Sequence, residues 1–138
     1  MKKCRILLFL FIMMLSGVLA GCGAAGQGTA GDRKEVDYTV ADARKLPEEL
    51  ARLIEENKKE EIRMTYTDGA DMYLIRGYGE QETGGYSIEV AECSEDGETV
   101  YFDTRLLGPS GQEKLPKEPS YPFLVVKIET REKDVLIQ

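Results

Sequence analysis

The N-terminal segment most limits what this chain can fold into, because it leaves only part of the sequence for a folded domain. Lys2, Lys3 and Arg5 precede residues 6–20, an uncharged run that is rich in Leu, Phe, Ile and Met. A basic start followed by such a run is typical of a cleavable signal peptide. The run has fifteen residues, whereas a helix that crosses a membrane needs about 20. We therefore predict that residues 1–21 direct export and are then removed.

The four residues that close this segment, Leu19-Ala20-Gly21-Cys22, resemble the lipobox of bacterial lipoproteins. In lipoproteins, small residues before the cysteine let the signal peptidase reach the bond. The resemblance implies that Cys22 becomes the N-terminus and carries diacylglycerol and an acyl chain such as palmitate. It also implies a lipid-anchored protein at the cell membrane, on its extracytoplasmic face. The alternative is an ordinary signal peptide in which Cys22 carries no lipid.

Residues 22–35 are predicted to be a flexible tether. The stretch 23–31 contains only Gly, Ala, Gln and Thr. Such side chains bury too little apolar surface to offset the entropy lost when a chain becomes ordered. The folded domain is therefore expected to comprise residues 36–138. A segment of about 100 residues suffices for one domain with a single core.

The charge of the chain argues against nucleic-acid binding. Removal of residues 1–21 takes away three basic residues and no acid, so the formal net charge changes from −7 to −10. An acidic surface repels the phosphates of nucleic acids and the headgroups of anionic lipids. We therefore predict that the protein binds no nucleic acid and contacts the membrane through the lipid on Cys22.

The residue types restrict the chemistry that the chain can perform. It has no His, which excludes Ser-His-Asp and Cys-His arrangements and His-ligated metals. Loss of Cys4 and acylation of Cys22 would leave Cys93 as the single thiol, so no intramolecular disulfide can form. Cys93 is predicted to be a small buried hydrophobe, and a reactive thiol is the alternative.

The acidic residues do not indicate a catalytic or metal site. Those around residues 92–98 lack the spacing of a Ca²⁺ loop. Nothing in the sequence places two carboxylates on opposite sides of a cleft, as glycosidases require. We predict a protein that is not an enzyme and that holds no metal and no cofactor apart from the lipid on Cys22.

One amphipathic helix is predicted over residues 47–59. Pro47 suits the first helical position, acidic residues follow it, and Lys58 and Lys59 suit the end, where cations favour the helix dipole. The apolar residues fall on one stripe that should pack on a sheet. They are Leu46, Leu50, Leu53 and Ile54.

The rest of the domain is predicted to form strands, because apolar and polar residues alternate or run together between short turns. Residues 107–120 instead contain Gly and Pro without an apolar period, which predicts a long loop of a kind that is often functional. The predicted fold is α+β, a mainly antiparallel sheet or compact sandwich with the helix packed on it. The strands are 36–40, 62–66, 72–75, 86–90, one from residue 100 onward, 121–128 and 135–137.

Two short motifs carry a resemblance to a known family. Thr83-Gly84-Gly85-Tyr86 lies between two predicted strands, and Ser120-Tyr121-Pro122 precedes an apolar strand. In this order and at this separation they are similar to the PrcB-like family, over about residues 72–138. That family is the C-terminal domain of a lipoprotein subunit in a bacterial surface protease complex. The resemblance implies an accessory subunit that binds and stabilises an extracytoplasmic protein, a secreted subtilisin-like protease.

The predicted partner contacts lie in these motifs and in the loop 107–122. For the two glycines, a turn with positive φ is the alternative, and for the tyrosine after them, packing in the core is the alternative. The candidate residues are Thr83, Gly84, Gly85, Tyr86, Ser120, Tyr121 and Pro122.

A looser likeness gives a second functional hypothesis. A Gly-Tyr loop joined to a later Pro-containing strand opening is similar to the chagasin-type inhibitors of cysteine proteases, small β-sandwiches that present loops at one end. Their Trp after the proline has no counterpart here, because the chain contains no Trp. Protease inhibition therefore stays an alternative, and small-ligand binding is a third.

Overall fold

The structure, a computed structural model, describes residues 32–111 and 114–138, which form three layers. A helix covers one face of a four-stranded sheet, and the other face of that sheet packs on a second four-stranded sheet. This arrangement confirms the predicted α+β sandwich with one helix packed on it. The elements are β1 Lys34–Glu35, β2 Thr39–Val40, a 3₁₀ turn Ala43–Lys45, α1 Glu48–Asn57, β3 Glu61–Asp68, β4 Asp71–Tyr78, β5 Ser87–Glu95, β6 Thr99–Leu107, β7 Phe123–Glu129 and β8 Asp134–Ile137.

The first sheet, here called the helix-covered sheet, has the strand order β2-β7-β4-β3 and is antiparallel throughout. Gly69, with a φ of 63°, supplies the left-handed residue that closes the β3–β4 hairpin. The apolar stripe of the helix packs on the outer face of this sheet. Leu50 and Ile54 are buried there against residues of three strands, including Ile75 and Val125.

The second sheet, here called the open sheet, has the strand order β1-β5-β6-β8. β5 and β6 are antiparallel with a shift of register between Val90 and Glu92, whereas β8 runs parallel to β6. The core lies between the two sheets. Phe102 of the open sheet and Leu74 and Val126 of the helix-covered sheet are completely buried in it.

The start of the domain differs from the predicted strand 36–40. β1 pairs with β5 in the open sheet, while β2 pairs with β7 in the helix-covered sheet, so this segment crosses from one sheet to the other. Val36 is buried at the crossing, whereas Tyr38 and Val40 are exposed. β1 also lies inside the segment predicted as tether. Its order comes from backbone pairing, which a pattern of apolar side chains does not record.

The helix is shorter than predicted. Pro47 precedes it in an extended conformation, and its carbonyl accepts the first helical bond from the amide of Ala51 at 2.9 Å. At the other end, the side chain of Asn57 donates to the carbonyl of Leu53 at 2.8 Å, and the helix stops there. Lys58 and Lys59 therefore lie beyond its last turn.

Within the described residues, no helix is long and apolar enough to span a membrane. The predicted signal peptide, the predicted lipidation site Cys22 and the first part of the predicted tether lie outside the described residues.

Candidate functional site

Both sequence motifs lie at the same end of the sandwich. β4 ends at Tyr78 next to the start of β7, because Gly77 pairs with Phe123. β5 begins at Ser87, which pairs with Leu107, the last residue of β6. The connection from β4 to β5 and the connection from β6 to β7 therefore leave the two sheets side by side. Residues 79–86 with residues 108–111 and 114–122 are here called the loop platform.

Backbone hydrogen bonds join the two halves of the loop platform. The amide of Gln81 donates to the carbonyl of Ser120 at 2.8 Å, and the amide of Ser120 donates back to the carbonyl of Gln81 at 3.0 Å. The hydroxyl of Ser120 also donates to the carbonyl of Thr83 at 2.6 Å. Residues 39 positions apart in the chain are thus held together as one short β-bridge, so the long loop has a fixed position on its neighbour.

The two glycines of the first motif have different environments. Gly85 has a φ of 86°, and a Cβ there would lie 2.7 Å from Leu115 Cδ2 and 3.0 Å from Pro109 Cβ. Gly84 has a negative φ, and among the described residues a Cβ there would meet only Pro116, at 3.5 Å. The close approach of the long loop thus requires glycine at position 85 but not at position 84.

The second motif is held at both ends. The amide of Tyr78 donates to the carbonyl of Pro122 at 3.0 Å. The hydroxyl of Tyr121 donates to the Glu80 carboxylate at 3.1 Å, and this bond raises the pKa of Tyr121, with burial adding to the effect. The Lys58 ammonium lies 5.1 Å from the centre of the Tyr121 ring, within the range of a cation–π contact.

A polar cluster beneath the loop platform ties the two sheets together. The hydroxyls of Tyr78 in β4 and Thr104 in β6 form a hydrogen bond of 2.7 Å between the sheets. The Arg76 guanidinium, which is 4% exposed, lies 4.0 Å from the centre of the Tyr78 ring and donates to the carbonyl of Gly77. The loop platform therefore rests on a base in which a buried cation and two hydroxyls fix the strand ends.

All seven candidate residues lie at the same end of the sandwich, but their structural roles differ. Ser120 and Tyr121 use their hydroxyls to hold the two loops, and Gly85 admits the neighbouring loop. Tyr86 is half-buried. The binding role of these residues remains a prediction. The candidates are Thr83, Gly84, Gly85, Tyr86, Ser120, Tyr121 and Pro122.

Sequence reasoning missed the residues that complete this surface. Glu80 and Gln81 supply partners for the second motif, yet they sit in a polar stretch with no period to mark them. Leu107, the first residue of the predicted loop 107–122, is instead the last residue of β6, and it is 44% exposed beside the first motif. In the sequence, the Gly108-Pro109 pair that follows Leu107 indicates that a strand ends at this residue.

Neither a metal-binding cluster nor a reactive thiol is found among the described residues. No group of three or more His, Cys, Asp or Glu side chains within them is placed to hold a metal ion. Cys93 is buried between the sheets, as predicted. Its burial, with the negative charges of Glu35 and Glu92, raises the pKa of its thiol to about 11. The thiol is thus kept in the form that is a poor nucleophile.

These features define the class of protein: a small α+β sandwich with two hydrogen-bonded loops at one end. Residues 72–129 match the family described as PrcB C-terminal, and this match confirms the resemblance noted from the motifs. Comparisons with curated proteins and with solved structures found no match. The matched segment runs from β4 to the end of β7 and includes both halves of the loop platform.

Gly85→Ala should destabilise the domain much more than Gly84→Ala. The first change forces a side chain into positive φ and against Pro109, a cost of about 1–3 kcal/mol. The second adds an ordinary contact and should change the free energy of unfolding by less than about 0.5 kcal/mol. Urea unfolding of both variants, with hydrogen exchange of the long loop, measures the difference. Equal effects would show that the close approach at Gly85 does not hold the loops.

The Cys93 thiol should resist alkylation in the native protein. With a pKa of about 11, about one thiol in a thousand is ionised at pH 8, against about one in four for an unperturbed cysteine. Iodoacetamide labelling of the Cys93 peptide at pH 8 should therefore be at least a hundredfold slower than in urea. The native rate should keep rising as the pH increases toward 11. Fast native labelling at pH 8 would contradict the buried position.

Proposed function

We propose that this protein is a non-catalytic accessory subunit that binds a secreted protease through the loop platform. The observation that carries the proposal is the PrcB C-terminal match over residues 72–129. The resemblance associates that family with a surface protease complex, and the matched segment contains the whole loop platform together with the strands that support it.

The geometry of the loop platform supports a role in binding. Its two loops are fixed on each other by the Gln81–Ser120 pair, so little conformational entropy would be lost when a partner docks. The exposed Leu107 and the half-buried Tyr86 offer apolar surface, and the same loop platform exposes the charged side chains Lys114, Lys117 and Glu118. An apolar centre with a polar rim is the usual composition of a protein interface.

The lipid anchor is part of the same proposal. Attachment through Cys22 would hold the subunit at the extracytoplasmic face of the cell membrane, and the segment 23–31 would let the domain reach a partner at the same surface. Anchoring would thereby raise the local concentration of the partner around the loop platform.

Protease inhibition is a second function that one observation favours. The Gly-Tyr turn and the Pro-containing strand opening meet at one end of the sandwich, as the loops of chagasin-type inhibitors do. Titration of the purified protease with the full chain separates the two functions. An accessory subunit leaves activity unchanged or prolongs it, whereas an inhibitor abolishes activity at a stoichiometric ratio.

Cys22→Ser should release the protein from the membrane. Without the thiol no diacylglycerol can be attached, so the variant is expected in the soluble extracytoplasmic fraction or as an uncleaved precursor. Labelling of cells with radioactive palmitate should mark the wild-type protein and not the variant. A variant that carries the label, or a wild type that lacks it, would refute the anchor.

Leu107→Ala combined with Tyr86→Ala should reduce recovery of the protease in a pull-down by at least about tenfold, since both remove apolar area at the centre of the proposed contact. The bait is the tagged full chain in detergent-solubilised membranes, and mass spectrometry identifies what it recovers. Leu136→Ala is the matched control, because Leu136 is 45% exposed and lies in β8. If wild type and both variants recover the same proteins, the loop platform is not the binding surface.

A further inference from the structure

β5 has a long backbone edge that the fold leaves open. Along Ser87–Glu95 it pairs with β6 on one side, but on the other side β1 pairs only with Ser94 and Glu95. One further bond reaches that side, from the amide of Val36 to the carbonyl of Cys93 at 2.9 Å. Within the described residues, no hydrogen bond reaches the backbone of residues 87–92 on this side. The outward amides and carbonyls of residues 87–92, here called the β5 edge, are thus available to another strand.

Two other edges of the sandwich, those of β3 and β8, are protected in ways that the β5 edge is not. The edge strand β3 carries the charged residue Arg63, which pairs with the buried Arg76 of β4. β8 is only four residues long and follows Lys133. Short length and charged side chains are the usual devices against strand addition. The β5 edge carries no Lys and no Pro, and Ile88 and Val90 alternate with exposed residues along it. Its charged residues, Glu89 and Glu92, are acidic, so they repel an acidic strand but not a basic one.

A cleft lies beside the β5 edge at the point where the chain crosses between the sheets. Its volume is about 340 Å³, and its lining combines Tyr38, Val90 and Ala91 with the charged residues Arg33, Glu35 and Glu92. Ala91 is the extra residue of the irregularity between Val90 and Glu92. Tyr38 is 40% exposed. An apolar side chain of an added strand would therefore find an aromatic wall next to the backbone groups with which that strand pairs.

The charges around the β5 edge determine the occupant. Glu35 and Glu89 are exposed beside it, while Glu92 is already paired with Arg33 at 3.0 Å. The nearby cations lie away from the open side: Lys34 is in β1 opposite Glu95, and Arg105 is in β6. A second copy of this chain would bring the same glutamates together, and the net charge of −10 for residues 22–138 opposes that approach. A segment with Lys or Arg beside an apolar residue is complementary to the same edge.

We propose that the β5 edge binds an extended, basic peptide segment of another protein by strand addition, with an apolar side chain of that segment in the Tyr38 cleft. This site differs from the loop platform in its chemistry, since its own main-chain groups would pair with the main chain of the peptide. The partner at this site need not be a protease. It also starts at Ser87, directly after the first motif, so one partner that docks on the loop platform can continue along the β5 edge.

The test selects peptides from a phage-displayed random library against the detergent-solubilised full chain. Enriched peptides should contain Lys or Arg beside an apolar residue, and the synthesised peptides should slow amide hydrogen exchange in residues 87–92. Tyr38→Ala should weaken their binding by at least about tenfold. The control Leu136→Ala, at similar exposure on another strand of the open sheet, should change it by less than about twofold. Glu35→Lys with Glu89→Lys should weaken binding further.

Three results would overturn this inference. The first is that no peptide is enriched. The second is that the peptides slow hydrogen exchange in the loop platform or in β3 and β8 and not in residues 87–92. The third is that light scattering shows concentration-dependent dimers that slow hydrogen exchange in residues 87–92 without peptide. The selection uses no protease, so its failure leaves the loop-platform proposal intact. Conversely, a failed pull-down has no bearing on peptide binding at the β5 edge.

Discussion

The pairing of β4 with β7 is the constraint on which the rest of this structure depends. Residues 71–77 pair with residues 123–129 across a long stretch of intervening chain. The inner side of the pair contributes Leu74 and Val126 to the core between the sheets, and the outer side contributes Ile75 and Val125 to the contact with the helix. The end of the same pair places the two loops next to each other. One strand pair thus sets both cores and the position of the loop platform.

Local patterns were sufficient to predict most of the elements. The helix stripe, the β3–β4 hairpin with Gly69 and the apolar strand near the C-terminus each depend on neighbours a few residues apart, and each is present in the structure. The ends of the helices and strands could be predicted less well from the sequence. The alternation of apolar and polar residues at 36–40 predicts one strand, yet the chain there crosses from one sheet to the other. The crossing could not be predicted, because short backbone pairings do not depend on the polarity of the side chains.

The sequence predicts which residues form the candidate site but not the contacts that hold them together. A resemblance in two motifs identified both loops, whereas nothing in the sequence states that Ser120 bonds to Gln81 and Thr83. Such contacts join residues far apart in the chain and involve loops without a period. The distinction between Gly84 and Gly85 is equally invisible in the sequence, since it depends on Leu115 and Pro109, which approach one glycine and not the other.

The two proposed surfaces use different physical means of recognition. The loop platform offers side chains on a preordered support, where specificity comes from shape and from a few apolar contacts. The β5 edge offers backbone groups, which accept many sequences and discriminate only through the Tyr38 cleft and the flanking glutamates. Because β5 begins where the first loop ends, the two surfaces are continuous along the open sheet. A partner with a folded face and an extended segment would engage both, and the second contact would then form at high effective concentration.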